Sequence, residues 1–223
     1  MGLLDDLKRQ AEALQARQNT DTAALERNTQ LADAACKTAF TYLDTLVRQL
    51  IVLKPVSKAR YELDRKTRLE GLPMTQLKVD ARRKMLRGQE VFDHVVVHGR
   101  LANGQRLNLV KDFLPDIEKL EPRLRASGAP VNAQPVRHPE SNKLVEMRYE
   151  VPVDFVISAR FTPDHDRARI GIRVQNFDGF ETVDLELPAT EIGTTRLDEL
   201  ARWLLGEPHR FLDGALALKR IAA

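Results

Sequence analysis

The most regular pattern in the chain is the alternation of apolar and polar positions over residues 145–161. Every odd position in this segment is apolar, and most even positions carry charged or hydroxyl side chains. A period of two is typical of a β-strand with one buried and one solvated face. At about 3.3 Å per residue the segment would extend roughly 55 Å, and Pro152 within it has no N–H for a ladder hydrogen bond. We therefore predict a long strand that bends or bulges near Pro152 and lies at the centre of a curved antiparallel sheet.

Residues 1–53 follow a helical period instead, because they contain no proline and repeat apolar residues every three or four positions. A polar segment separates two apolar stripes, and its residues 19–22 include several that favour a helix N-cap. We therefore predict a helical arm over residues 1–53, formed by two helices or by one kinked helix. The first stripe contains Leu4, Leu7, Ala11 and Leu14, and the second contains Leu25, Leu31, Ala35, Ala39, Tyr42, Leu46 and Leu50.

The period of two returns after Pro55 and predicts four strands before the next helix. The dipeptide Asn103-Gly104 lies between the third and the fourth of these strands, and it favours a tight hairpin turn because both residues tolerate positive φ angles. Arg65 breaks the apolar alternation of the first strand. The predicted strands are residues 59–69 and 77–85, which form a first hairpin, and residues 91–101 and 107–109, which form a second.

Helix and loop signals follow these strands. Pro115 near the start and Gly128 at the end predict a helix over residues 112–127. Residues 129–142 contain three prolines and predict a loop. After the long strand, further strands are predicted over residues 168–174 and 183–187, and helices over residues 195–205 and 211–221.

The order of these elements, with tight turns rather than helical crossovers between strands, predicts an α+β fold. We expect the helical arm of residues 1–53 to be followed by an antiparallel α+β domain of residues 54–223. Its curved, mostly antiparallel β-sheet would have seven or eight strands, with helices packed on it. Two strand-helix halves that meet near residues 128–142 are a further expectation, although the two halves show no sequence similarity to each other.

The net charge of +3 is unevenly distributed along the chain. Residues 54–90 contain 11 basic and 5 acidic side chains, whereas residues 1–53 contain 6 and 7 and residues 91–223 contain 18 and 20. The outward face of the first predicted hairpin would therefore form a basic patch that attracts a nucleic acid or another polyanion. A purely solvated face is the alternative, because no aromatic side chain is available there for base stacking. The patch consists of Lys58, Arg60, Lys66, Arg68, Lys78, Arg82 and Lys84.

The cysteine usage and the N-terminal residues bear on the cellular location. Cys36 is the only cysteine, which excludes an internal disulfide and a cysteine-rich zinc site and favours a reducing compartment. Asp5 and Asp6 stand where a secretory signal would carry basic residues, and no apolar run approaches the roughly 20 residues of a membrane span. We therefore expect a cytoplasmic protein without a membrane span.

Candidate catalytic and metal-binding residues are few. His94 and His98 are four residues apart on a predicted strand, which separates their Cα atoms by roughly 13 Å, too far for one metal ion. The Asp-His-Asp sequence of residues 164–166 is typical of a polar hairpin turn. No nucleophile motif and no glycine-rich phosphate loop is present. We therefore expect no cofactor and no metal ion, and a non-catalytic protein rather than an enzyme.

The apolar stripe of Leu4, Leu7 and Leu14 supports the favoured hypothesis about function, because a short amphipathic helix needs tertiary or quaternary packing to be stable in water. On this hypothesis the chain is a scaffold or adaptor protein whose N-terminal helix associates with itself or with a protein partner. One alternative is binding of a nucleic acid or another polyanion by the basic hairpin of residues 58–87. Another alternative is a small-ligand or enzyme site on the concave face of the sheet.

Overall fold

The computed structural model describes the backbone of residues 3–222, and the side chains of these residues except 3–7, 11 and 13–20. The described chain contains three α-helices, α1 (Leu3–Leu53), α2 (Leu114–Ser127) and α3 (Thr194–Leu204), and a single 3₁₀ turn at Ala189–Glu191. One uninterrupted helix of 51 residues thus stands where the sequence predicted two helices or one kinked helix. None of the helices in this part of the chain combines the length and the hydropathy that a membrane-spanning helix needs.

Antiparallel strands make up most of the remaining chain. Eight strands form one curled sheet in the order β1-β4-β5-β7-β8-β9-β10, with β6 paired to β7 beside this path, and β2 and β3 form a separate β2–β3 ribbon. This arrangement confirms the predicted α+β fold with a curved antiparallel sheet. The strands are β1 (Val56–Ser57), β2 (Tyr61–Glu62), β3 (Arg68–Leu69), β4 (Leu72–Leu86), β5 (Gln89–Lys111), β6 (Asn132–Arg137), β7 (Leu144–Asp164), β8 (Arg169–Gln175), β9 (Glu181–Pro188) and β10 (Ala217–Ala222).

The predicted long strand is β7, which has 21 residues and lies at the centre of the sheet. Its odd residues from Tyr149 to Pro163 are all buried, whereas its even residues over the same stretch are half-buried or exposed. Val145, at the start of the predicted run, is exposed. β7 pairs with β5 over nearly its whole length, so strands on both sides of residues 128–142 belong to one sheet.

The bend predicted near Pro152 corresponds to a bulge in the neighbouring strand. Ala102 pairs with Asp154, and the next pair joins Arg106 to Pro152, so β5 contains two more residues than β7 at this point. Gly104 lies within the bulge at a φ of 75°, which a residue without a Cβ adopts easily. The Asn-Gly dipeptide that predicted a hairpin turn therefore forms a bulge, and the predicted third and fourth strands are one strand of 23 residues.

The first predicted hairpin is wrong, because its two strands do not pair with each other. β4 pairs with β5 through a turn at residues 87–88, and residues 59–69 contain only the short strands β2 and β3, which pair together. Two further secondary-structure predictions are also wrong. Residues 211–221 contain no helix, because β10 pairs there with β9, and the predicted loop of residues 129–142 contains β6.

The core forms where α1 packs on the inner face of the sheet. The buried side of α1 repeats every three or four residues, as the helical period requires. Four of its buried residues are small, which lets the helix axis approach the strands closely. These buried residues are Ala32, Ala35, Cys36, Ala39, Leu43, Val47 and Leu50. They belong to one cluster with the odd residues of β7 from Tyr149 to Phe161.

A buried asparagine holds α2 against an unpaired stretch of β7. On one edge, β7 pairs with β6 at residues 144–150 and with β8 at residues 158–164, so the described residues provide no strand partner in between. Asn176 Nδ2 donates to the carbonyl of Val156 in this stretch (2.8 Å) and to the carbonyl of Ala126 near the end of α2 (2.7 Å). Asn176 thereby provides one hydrogen bond that a strand partner would otherwise make to β7, and it holds the end of α2 against this strand.

The end of α3 contacts the segment before β2 so closely that only glycine fits. Gly206 has a φ of 72°, and a Cβ added to it would lie 2.2 Å from the backbone nitrogen of Ala59. The N–H of Lys58 also donates to the carbonyl of Leu205 (2.9 Å), so the two backbones are held together. Gly214 provides a matched case, because it has a φ of 71° but would place a Cβ in open space.

We expect Gly206→Ala to destabilise the protein by more than about 3 kcal/mol. The added Cβ would force the backbone at Ala59 to move, and the alanine would also be strained at a positive φ. Gly214→Ala should cost only about 1 kcal/mol, which is the φ strain alone. Urea denaturation of both variants measures the two values. Equal losses in the two variants would contradict the close approach at Gly206.

Candidate functional site

The N-terminal part of α1 carries no buried side chain, among those described, before Thr29. Between residues 8 and 27, every described side chain is exposed except Ala24 and Leu25, which are half-buried. From here on we call residues 3–27 the arm, which is shorter than the helical arm of residues 1–53 predicted from the sequence. The predicted contact residues Leu4, Leu7 and Leu14 lie outside the described side chains, so their role stays a prediction. The described side chains of the arm are therefore exposed, apart from the half-buried Ala24 and Leu25 next to its base.

Polar contacts fix the base of the arm to the sheet. They join the first turns of α1 after the arm to the β4–β5 turn, to the start of β5 and to the β7–β8 turn. Asn28 Nδ2 donates to the carbonyl of Asp166 (2.6 Å), Arg87 Nη1 donates to Thr29 Oγ1 (2.9 Å), and the N–H of Phe92 donates to Asp33 Oδ1 (2.7 Å). Arg87 also forms an ion pair with Asp166. These contacts set the direction in which the arm leaves the sheet.

The Asp-His-Asp sequence of residues 164–166 forms the turn beside this base. Asp164 Oδ1 accepts the N–H groups of Asp166 and Arg167 (both 3.1 Å), which closes the turn as predicted for a polar hairpin loop. His165 is buried, and its Nε2 donates to the carbonyl of Phe92 (2.8 Å). Within the described residues no group of three potential metal ligands comes together.

The seven basic residues of the predicted patch lie on two different parts of the fold. Four of them are in and beside the β2–β3 ribbon and three are on β4, because the predicted pairing between these segments does not occur. Four of the seven form ion pairs with carboxylates, which lowers the positive potential available to a polyanion. The pairs are Lys58–Glu207 (2.7 Å), Arg60–Glu70 (2.9 Å), Arg68–Glu62 (2.9 Å) and Lys84–Asp93 (3.2 Å).

The outward face of β4 and β5 mixes both signs of charge. His98 Nε2 lies 2.8 Å from Asp80 Oδ2, and His94 Nδ1 lies 3.1 Å from Asp93 Oδ2. Hydrogen bonds from His94 and Lys84 lower the pKa of Asp93. The two histidines thus have separate carboxylate partners. This face carries paired charges of both signs rather than the basic patch expected from the sequence, and polyanion binding stays a prediction.

The β2–β3 ribbon is clamped to the end of β5 by a largely buried ion pair. Lys111 Nζ lies 2.6 Å from Asp64 Oδ2, and the two side chains are only 16% and 15% exposed. Asp64 Oδ1 also accepts the N–H groups of Lys66 (2.8 Å) and Thr67 (2.6 Å). Burial by itself would raise the pKa of Asp64, but the hydrogen bonds from Lys111 and from the turn lower it to about 2.

Cys36 cannot act as a nucleophile in this structure. It is fully buried between α1 and the sheet, and burial, followed by the nearby charge of Asp33, raises the pKa of its thiol to about 12. A thiol in such surroundings stays protonated and inaccessible. The residue is a small core side chain, as its alanine-rich surroundings in the sequence indicate.

The ion pair of Asp64 should make stability depend on pH. Because its pKa falls from 3.8 to about 2 on folding, Asp64 stabilises the protein above about pH 4, and this stabilisation is lost as the pH falls towards about 2. We expect wild-type protein to lose about 2 kcal/mol more than Asp64→Asn over this range. Urea denaturation at a series of pH values measures the difference.

Lys111→Met should flatten the same pH dependence, because it removes the strongest hydrogen bond to Asp64. Lys119→Met is the matched control, since Lys119 has no carboxylate partner within the described part of the chain. It should keep the wild-type dependence. An unchanged profile in Asp64→Asn would show that this ion pair does not contribute.

Comparison with known proteins adds nothing to this description. No protein family model matches the chain, and no curated protein or solved structure gives a significant match. Function is therefore inferred from the contacts of the chain itself.

Proposed function

We propose that the protein is a non-catalytic scaffold or adaptor whose N-terminal arm associates with a second copy of the chain or with another protein. The observation that carries this proposal is the mismatch between the length of α1 and its burial. The helix has 51 residues, but its buried described residues begin only at Thr29. The arm would extend roughly 37 Å at about 1.5 Å per residue.

Helices in proteins gain most of their stability from packing an amphipathic face, so an arm whose described side chains are mostly exposed favours a partner. The heptad spacing of Leu4, Leu7 and Leu14 gives this partner an apolar stripe to contact. Burying three leucine side chains is worth about 5 to 8 kcal/mol before ordering costs, which suffices to support association. Two arms in side-by-side contact would form a symmetric dimer.

The polar base supports an arm that acts as a rigid connector. Asn28, Thr29 and Asp33 are bonded to three different segments of the sheet domain, so the direction of the helix is defined where it leaves the sheet. A partner bound to the arm would then be held in a defined orientation relative to the sheet. This is the property that a scaffold or adaptor needs.

The test is the molar mass in solution of the full chain and of variants in the arm. We expect a mass of twice 25.3 kDa for the full chain. Leu7→Asp combined with Leu14→Asp should give a monomer, because the charges would be buried in the contact. Ala23→Asp is the matched control, since Ala23 is exposed and lies on the side of the helix opposite the stripe, and it should leave the mass unchanged.

A monomeric full chain would leave another protein as the partner. A pull-down from cell extract should then capture a protein with the full chain and with Ala23→Asp, but not with the double leucine variant or with a variant that lacks residues 1–18. If the chain is monomeric, captures nothing that depends on the arm, and only melts at lower temperature on truncation, the arm belongs to the core and the proposal is wrong.

A further inference from the structure

A polar cavity of about 410 Å³ lies between the β2–β3 ribbon, the end of β5 and the N-terminal half of α2. This volume is within the range of small-molecule sites in proteins. Of the 11 residues that line it, five are basic and three are acidic, which leaves a net charge of +2. The cavity is separate from the arm, and no pattern in the sequence indicated it.

The walls of the cavity are held in place before any ligand arrives. The ion pair of Asp64 with Lys111 joins the ribbon to β5. Arg123 on α2 donates from Nη1 to the carbonyls of Glu62 (3.3 Å) and Leu63 (3.2 Å), which joins the ribbon to α2. A site with fixed walls binds a ligand with a smaller loss of conformational entropy.

Three basic side chains at the cavity have no ion-pair partner in the described residues. Lys111 is neutralised by Asp64, and Arg123 is engaged with backbone carbonyls. Arg65, Lys66 and Lys119 line the same space, are exposed, and have no carboxylate within ion-pair distance in that part of the structure. Arg65 and Lys66 are carried by the turn that Asp64 closes, so their backbone position is fixed.

Two of the three acidic lining residues, Asp112 and Asp116, lie at the N-terminal end of α2, whereas the third, Asp64, is paired with Lys111. Asp112 precedes the helix and Asp116 lies in its first turn, whereas Lys119 and Arg123 follow on successive turns of the same helix face. The cavity therefore changes from acidic to basic along α2. A ligand that fits this order has an anionic end and an end with hydrogen-bond donors.

We propose that this cavity binds a small phosphorylated molecule that carries hydroxyl groups. The phosphate oxygens accept hydrogen bonds from Arg65, Lys66 and Lys119, and charge-assisted bonds of this kind are among the stronger ones in proteins. The hydroxyl groups donate to the carboxylates of Asp112 and Asp116. A bare phosphate would satisfy the basic end only, and a neutral sugar would satisfy the acidic end only.

Isothermal titration calorimetry of the full chain at low ionic strength tests the proposal with ribose 5-phosphate, inorganic phosphate and ribose as probes. We expect ribose 5-phosphate to bind at least about fivefold more tightly than inorganic phosphate, and ribose to show no measurable binding. The Lys66→Ala and Lys119→Ala double variant should weaken ribose 5-phosphate binding at least about tenfold.

The matched control is the double variant Lys78→Ala and Arg82→Ala, which removes two exposed basic residues of β4 outside the cavity and should leave the affinity within about twofold. Asp112→Asn combined with Asp116→Asn should abolish the advantage of ribose 5-phosphate over inorganic phosphate. Melting temperatures confirm that each variant is folded. No binding by the full chain, equal loss in both basic double variants, or equal affinity for the two phosphates would overturn the proposal.

Discussion

The contact between the small-residue side of α1 and the inner face of the central strands is the constraint on which the other features depend. Ala32, Ala35, Cys36 and Ala39 are nearly or fully inaccessible, so the helix lies close to the odd side chains of β7. A sheet that covers a helix in this way has to curl, and long strands curl through bulges. β5 contains such a bulge opposite Pro152, and β4 contains an extra residue between Thr75 and Lys78.

The same constraint explains which elements could be predicted from the sequence. β7 was predictable because it is buried on one face along most of its length, so its period of two is unbroken. The Asn-Gly dipeptide does not distinguish a bulge from a turn, because a positive φ suits both, and the pairing of β5 with the long β7 decides for the bulge. β10 was mistaken for a helix because all six of its residues are exposed and no alternation marks it.

The candidate sites were less predictable, because their charges are set by partners distant in the sequence. Lys58 is paired with Glu207 and Lys111 with Asp64, and no local pattern indicates either contact. Residues 54–90 do have an excess of basic side chains, as counted from the sequence. The prediction that these side chains form one surface was wrong.

The two proposed sites lie near opposite ends of β5. The base of the arm is bonded to Phe92 near the start of the strand, and Lys111, at its last position, forms the wall of the cavity. These positions are roughly 60 Å apart along the strand. Substitutions that share no contacts usually have additive effects, so changes at the arm should leave the cavity unaffected, and the reverse. Each proposed site can therefore be tested with variants that leave the contacts of the other unchanged.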